Sequence, residues 1–447
     1  MASACLRSFL RRMLWLVLLP LAVACCLALA CSFPRYTAED AAGSLAQLDA
    51  VLLRGVAFVA DSEAPSDGDT GPSVHLPVLS FNLRHDVDKG ARSFTARLPR
   101  IVRLFDRVQP WIAGVQEPWS SQLSQLMGAL PPRYRSLADP RAEVHERRTD
   151  GSFVPSPNIA LLYDAERLEL LEHDFLYLSK TPRVAGSSNW GSSRARAVNV
   201  ARLRMRPNDA AGLSASTAAS LEVLAFNTHL DVRAEAARRG QAAVLARIIA
   251  EWQARFPHAV TILTGDFNTA PGQAAHAILT HTMTDAWTAC AKATTAAALG
   301  DGFCAQAPNA LSHSFHGWLG TRLHSAMGRL ALGVGFTLYS AGLHTPIQVP
   351  SSLRQWLSAA VNLLSRAPQY SFAEAAPAWP WNRFHVDWIL FAQPSSGALQ
   401  LTPLFVDLLD GRNESFSSDH FPLVGVFLLR TPGTPNSTDN EQALPAL

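Results

Sequence analysis

Apolar runs in this chain repeatedly end in groups that bind cations or move protons. The stretch TILTGDFNTAPG (261–272) closes on Asp266 and Asn268, with Phe267 between them, and stops at Pro271-Gly272. Two side chains spaced this way share one face of an extended segment. A strand entering a Pro-Gly turn needs neither a carboxylate nor an amide there. That face suits a cation or a nucleophilic water, unless the pair is a solvated strand end built from turn-forming residues. The pattern recurs along the chain. Asn82 ends a run in SFNLRHD, Glu117 in GVQEP and His229 in FNTHLD, while Asp387 lies in HVDWIL and Asp419-His420 opens the last run in SSDHFPLV. One such group is an ordinary strand end; so many together point to a shared site.

The elements that must carry these groups follow from apolar periodicity. Strands are predicted over 76–83, 111–117, 158–163, 196–203, 221–227, 259–264, 385–391, 401–407 and 422–429. Helices are predicted near 94–107, over 120–130 and 234–255, and from about 272. In the third, Val244, Leu245, Ile248, Ile249 and Trp252 fall on one face. Helices interleaved with paired strands predict layered α/β sheets rather than one parallel sheet. An acidic, turn-rich linker is expected over 32–75, a folded body over 76–430 and a disordered tail over 431–447. Within the body, 319–380 reads as an inserted pair of semi-apolar helices with Pro-rich connectors. It is either a packed hairpin or a lid that touches a membrane.

Composition narrows the class. An apolar share of 48% and an aromatic share of 9% support a sizeable core. Positive charge is almost all arginine, because Lys89, Lys180 and Lys292 are the only lysines. Arg7, Arg11 and Arg12 precede an 18-residue apolar run, Leu14–Cys31. Its length falls between a cleaved signal, for which Ala28-Leu29-Ala30 offers a site, and a membrane anchor. Both alternatives send the body across a membrane, into a luminal or extracellular space. Without residues 1–31, the 38 Lys+Arg fall to 35 against 36 Asp+Glu, a formal charge of −1. That balance disfavours a polymer nuclease that binds through charge. Cys290 and Cys304 are the two cysteines of the body and make a simple pair for an oxidising compartment, and Asn413 and Asn436 begin N-glycosylation triplets.

In this order the strand-end groups resemble the motif series of the endonuclease/exonuclease/phosphatase superfamily, over roughly residues 76–430 and most closely its stand-alone hydrolase-like branch. NLRHD, LYLSKTP (176–182), Trp190, Arg196 and SFHGW (314–318) belong to the same set. The resemblance implies an α/β (α+β) fold, the four-layer DNase I-like sandwich, with two mixed β-sheets face to face, flanking helices and catalysis at one end of the strands. It implies a Mg2+ ion, with Mn2+ as the alternative, held by Glu117 with Asn82 and Asp419. Asp266 would orient or deprotonate the attacking water, and Asn268 would donate to a non-bridging oxygen. His420 would steady phosphate charge with Asp387 fixing its tautomer, and His229 would contact the phosphate or protonate the leaving oxygen. Arg196 would clamp the phosphoryl group, with Arg194 two residues away on the same face, and His316 would lie near the substrate or serve as a structural histidine. The family often has Arg two residues before the late Asp; His385 occupies that place and bears on substrate class.

The leading expectation is therefore a metal-dependent phosphoesterase of the secretory pathway or cell surface. Its substrate would be a lipid headgroup, a nucleotide or a small phosphoester, with membrane contact through the N-terminal segment or 319–380. A nuclease of DNA or RNA is the alternative that charge disfavours. A non-catalytic binding module is the other, although the full set of chemical groups argues against it.

Overall fold

The computed structural model describes residues 73–88, 90–139, 144–147, 153–156, 158–207, 221–295, 314–315, 385–397, 399–409 and 417–430. The N-terminal segment, most of the linker, the 319–380 insertion, Cys304, His316, Asn413, Asn436 and the tail lie outside the described residues. Among the described residues no helix is long and apolar enough to cross a membrane.

The first sheet comprises β1 (Ser73–Asn82), β2 (Ile112–Gln116), β3 (Tyr134–Leu137), β6 (Ile159–Asp164), β13 (Gln400–Leu408) and β14 (Leu423–Arg430), in the order β13-β14-β1-β2-β6-β3. The second holds β7 (Leu168–Tyr177), β8 (Ala197–Met205), β9 (Glu222–His229), β10 (Val260–Asp266), β11 (Thr284–Asp285) and β12 (Asp387–Ala392), in the order β11-β12-β10-β9-β8-β7. β4 (Val144–Arg147) and β5 (Phe153–Ser156) form a separate hairpin. The helices are α1 (Phe94–Val108), α2 (Ser120–Ala129), α3 (Glu235–Arg255), α4 (Ala274–Leu279) and α5 (Ala286–Thr295).

Each sheet is mixed, with one parallel pair inside it. β1 runs parallel to β2 and β9 parallel to β10, while the other pairs are antiparallel. A parallel pair needs a crossover, and the amphipathic helices α1 and α3 supply the two. Parallel pairing also aligns carboxyl ends. Asn82 is in register with Gln116, and Asp266 with His229. Asp387, which starts the antiparallel β12, pairs with Asp266 from the other side.

Side-chain alternation divides the apolar residues among the layers. Leu76, Val78, Ile112, Ala225, Val260 and Ile262 pack between the sheets. Leu79, Phe81, Ala113 and Val115 face α1 and α2, against Ile101, Phe105 and Leu126. Leu224, Phe226 and Leu263 face α3, against Leu245, Ile248 and Trp252. The predicted two-sheet sandwich with flanking helices is the architecture observed.

Further along the inter-sheet face the residues become polar and bond across the gap. Gln116 Nε2 donates to Asn227 Oδ1 at 2.8 Å, and Asn227 Nδ2 donates to the carbonyls of Val115 and Ala160 at 3.0 and 2.9 Å. Within the second sheet Thr264 Oγ1 donates to Asn227 Oδ1 at 3.2 Å, and across the gap the Gly265 amide donates to Ser80 Oγ at 3.1 Å. Space for this layer depends on Gly114, where a Cβ would collide with Thr264 Oγ1 and Asn227 Oδ1. The neighbours are bonded to opposite sheets and cannot withdraw singly. Gly114→Ala is therefore expected to destabilise the protein by about 1–3 kcal/mol, the usual cost of overpacking. A urea midpoint equal to that of the wild type would contradict this.

Candidate active site

The side chains that follow the polar layer converge at one end of the sandwich, with Asp266 as the hub. Its carboxylate is 2% exposed. Oδ2 accepts from Asn82 Nδ2 at 2.8 Å and lies 3.5 Å from His229 Nε2 and 3.8 Å from His420 Nε2. Oδ1 accepts the Asn268 amide at 3.0 Å. That bond closes the turn in which Asn268 adopts φ +49, a conformation Asn tolerates better than most residues. Burial, and secondarily the charge of Asp387, push the Asp266 carboxyl up to about 7, against the opposing pull of His420, Asn82 and the Asn268 amide.

The two histidines carry opposite assignments. Burial lowers His229 well below its ordinary value, and the Arg196 guanidinium lowers it further, so its ring is neutral. Asn268 Nδ2 donates to Leu230 O at 3.1 Å and lies 2.9 Å from His229 Nε2, which makes that nitrogen the acceptor. The proton then resides on Nδ1, 3.2 Å from the Asn158 amide. Turning that amide so that Oδ1 faces Nδ1–H also satisfies the Asn158 oxygen, otherwise buried without a partner. His420 is the reverse case. Burial opposes its charge, but Asp387, bonded to Nδ1 at 2.8 Å, together with Asp266 and Asp419 outweighs burial and raises it to about 10.

Glu117 follows β2 in a left-handed conformation, φ +60. The His85 amide donates to Oε2 and the His85 ring meets the Glu117 carbonyl, each at 3.0 Å. Burial disfavours ionisation of Glu117, yet His85, His229 and Arg84 together hold its carboxyl well below the usual range. Asp419 is raised by burial, against His420 and Arg84, and faces Arg84 Nη1 at 3.5 Å. Arg97 holds the loops beneath. It is fully buried and donates from Nη1 to the carbonyls of Leu83 and Ser417, both at 2.6 Å, and from Nη2 to Arg84 O at 3.0 Å. Ser314 Oγ accepts the Val386 and Asp387 amides at 2.9 Å, and its carbonyl accepts the Phe421 amide at 2.8 Å. It thereby ties the two strands that deliver Asp387 and His420.

Asn82, Glu117, His229, Asp266, Asn268, Asp387, Asp419 and His420 thus gather at one end, with Arg196 buried beside His229. His316 is outside the described residues; His385 is buried and pushed down by burial, with neither ring nitrogen hydrogen-bonded. Sequence reasoning missed Asn158, Arg84, Arg97, Asp231 and Arg238. Asn158 carried a usable signal, a polar residue at the edge of the apolar run NIALLY. The arginines carried none, being a few among many.

Two groups of residues suit a divalent cation. Asp266, Asp387 and His420 bring their ligand atoms within 4.8 Å of one another. Asp387 Oδ1 is buried and accepts no hydrogen bond, which leaves an acceptor oxygen for an ion. Glu117 and Asp419 offer harder, all-oxygen coordination, and Glu117 is already held ionised. The oxygens of Glu117, Asn82 and Asp419 would suit a hard dication, whereas the tighter cluster would need His420 deprotonated before its ring could ligate.

The charged His420 yields a test. Its pKa in the fold, about 10, exceeds the ordinary value of about 6.5, so the folded state holds this proton more tightly. The stabilisation is complete below about pH 6.5 and is lost as pH rises towards about 10. In chelator, the urea midpoint should fall between pH 7 and 10, and His420→Gln should flatten that fall. Equal slopes in the two proteins would show that the imidazolium contributes nothing.

No family model matches the sequence, and no curated protein matches it. Solved structures do match. The mannosyl-6-phosphatase Bt3783 of Bacteroides thetaiotaomicron shares 19% identity and a TM-score of 0.50, over 79% of this chain and 99% of that one. An endonuclease/exonuclease/phosphatase family protein of the same organism shares 18% identity and a TM-score of 0.50, over 80% of this chain and 96% of that one. The chain has the DNase I-like fold of the endonuclease/exonuclease/phosphatase superfamily.

Proposed function

We propose that this chain is a phosphoesterase that hydrolyses its substrate with water and a divalent cation, Mg2+ or Mn2+. The observation that carries the reading is Asp266: one buried carboxylate, near neutral in affinity for a proton, flanked by a neutral and a charged imidazole. A buried cluster of this kind has little structural purpose, since an apolar set of similar volume would be at least as stable.

The residues divide the work by protonation state. Asp266, ionised above about pH 7, accepts a proton from the attacking water and is oriented by Asn82 and Asn268. His420, kept cationic by Asp387, steadies charge on a non-bridging oxygen. Asn268 holds the neutral His229 ring in place, its amide donating to Nε2 and to the Leu230 carbonyl, and the pair lines the wall beside Asp266. Arg196 fixes the orientation of the phosphoryl group from beside His229. A bound dication would supply Lewis-acid stabilisation of the phosphoryl oxygens and leaving group.

The substrate is a phosphoester of lipid, nucleotide or small-molecule origin. We place the enzyme in the secretory pathway or at the cell surface, supported by the apolar run Leu14–Cys31 and by the disulfide-bonded state of Cys290. Membrane contact through the N-terminal segment or 319–380 belongs to the same proposal.

A panel of phosphoesters, assayed with the full chain in Mg2+ and in chelator, tests the reading. Asp266→Asn, Glu117→Gln and His420→Ala should each lower turnover by about 10²–10³ while preserving the fold. Full activity in chelator, or undiminished activity in the Asp266 variant, would sink it.

A further inference from the structure

The wall beside His229 is built with more care than the phosphoryl group alone requires. It begins at Asp231, which follows β9. Its carboxylate accepts from Ser192 Oγ at 3.1 Å, from the Ser193 amide at 2.7 Å and from the Ser193 hydroxyl, and from the Arg233 and Ala234 amides at 2.9 and 2.7 Å. Gln241 locks the same junction, accepting the Asp231 amide and donating to Ser192 Oγ, each at 2.9 Å. Trp190 packs where α3 carries Gly240, and a Cβ there would collide with its ring. Loop 190–196 is thereby fastened to the first turns of α3.

This scaffold carries arginines. Arg196 lies beside His229, and Arg194 is exposed with its charge acting on His85. Arg238 is half-buried with its charge acting on Asp266 as well as Asp231. Arg238 Nη1 donates to the Asp231 carbonyl at 3.0 Å, while Nε is buried with no hydrogen-bond partner. The Asp231 carboxylate is occupied by the five donors above and forms no ion pair with Arg238. Among the described residues, neither Arg194 nor Arg238 is ion-paired. The acids of the site have their own cations: Asp387 has His420 at 2.8 Å and Asp419 has Arg84 at 3.5 Å. Arg194 and Arg238 thus form no ion pair among the described residues, although the charges of Asp231, Glu235 and Asp266 all act on Arg238.

We infer that Arg238, with Arg194 at the rim, recognises a second negative charge on the substrate. The preferred phosphoester then carries at least two charges, either a monoester dianion or an ester with another, non-scissile anionic group. The inference rests on the phosphoesterase reading and narrows it. A guanidinium with an unused buried donor gains most from an anionic oxygen, and an uncharged group cannot replace it.

Substrates sharing one aryl leaving group separate the possibilities: a phosphate monoester, its methyl diester, and a diester bearing a second phosphate on the other arm. The wild type should favour a doubly charged substrate over the methyl diester by about tenfold or more in kcat/KM. Arg238→Gln should erase most of that preference, chiefly through KM on the doubly charged substrates, with a much smaller loss on the methyl diester. Arg238→Lys should restore part of it. The monoester arm should lose its advantage below about pH 6, where the second phosphate proton returns. Whichever doubly charged substrate leads identifies the source of the second charge. Preference for the methyl diester, or equal losses on all three substrates in Arg238→Gln, would overturn the inference. Should that variant fail to fold, Arg194→Gln, whose side chain is exposed, must show the same selective loss in weaker form. Calorimetry with inorganic phosphate keeps the two readings apart. Phosphate binding weakened about tenfold in Arg238→Gln, in a protein that hydrolyses none of the three esters, would uphold the anion site and defeat the phosphoesterase. Hydrolysis with phosphate affinity unaltered by the substitution would do the opposite.

Discussion

The site depends on the hydrogen-bonded layer that crosses between the two sheets. Two apolar sheets can slide over one another at little cost, because dispersion contacts have no direction. Gln116, Asn227 and Ser80 remove that freedom, since each of their bonds from one sheet ends on a particular atom of the other, and Thr264 braces Asn227 from within its own sheet. In a buried setting an unmade bond would cost the full desolvation of the group left behind. The register of the sheets is thus fixed about one residue pair below Asn82, His229 and Asp266. A hub bonded at 2.8 Å to the opposite sheet tolerates little slippage.

Parallel pairing supplies the second constraint. The two crossovers, α1 and α3, bring β2 alongside β1 and β10 alongside β9, so that four carboxyl ends face the same way. Ligand sites in open α/β sheets gather at such ends for the same reason. Here two sheets contribute, and the site forms where their ends meet. The antiparallel strand β12 and the segment before β14 add Asp387 and Asp419-His420 from the opposite chain direction. Arg97 and Ser314 bind these incoming loops to the frame through backbone carbonyls and amides.

Within that frame the chemistry is set by what each ionisable group can see. His229 and His420 are both buried, yet one faces an arginine and amides and the other a carboxylate. Neutral and charged rings therefore coexist on either side of one aspartate. The same logic separates Glu117, held ionised by its imidazole neighbours, Arg84 and the His85 amide, from Asp266, whose burial dominates.

Much of the architecture was legible in the chain. β1, β2, β9 and β10 are apolar runs ending in unmistakable groups, and α3 announces its buried face through Val244, Leu245, Ile248, Ile249 and Trp252. β7 escaped because LELLEHDFLY lies at a sheet edge, carries acids and contains a register shift between Leu170 and Glu172, which breaks strict alternation. The short β3 and β11 lacked enough residues for any period to emerge. By itself the sequence determined which strand ends carry carboxylates, amides and imidazoles, because side-chain type and alternation are local properties. Tertiary structure alone decided that Asn158 meets His229, that Arg97 spans two loops and that Arg238 bonds the Asp231 carbonyl. It also decided which histidine is charged. Protonation depends on neighbours brought from distant points of the chain, and no local pattern encodes them.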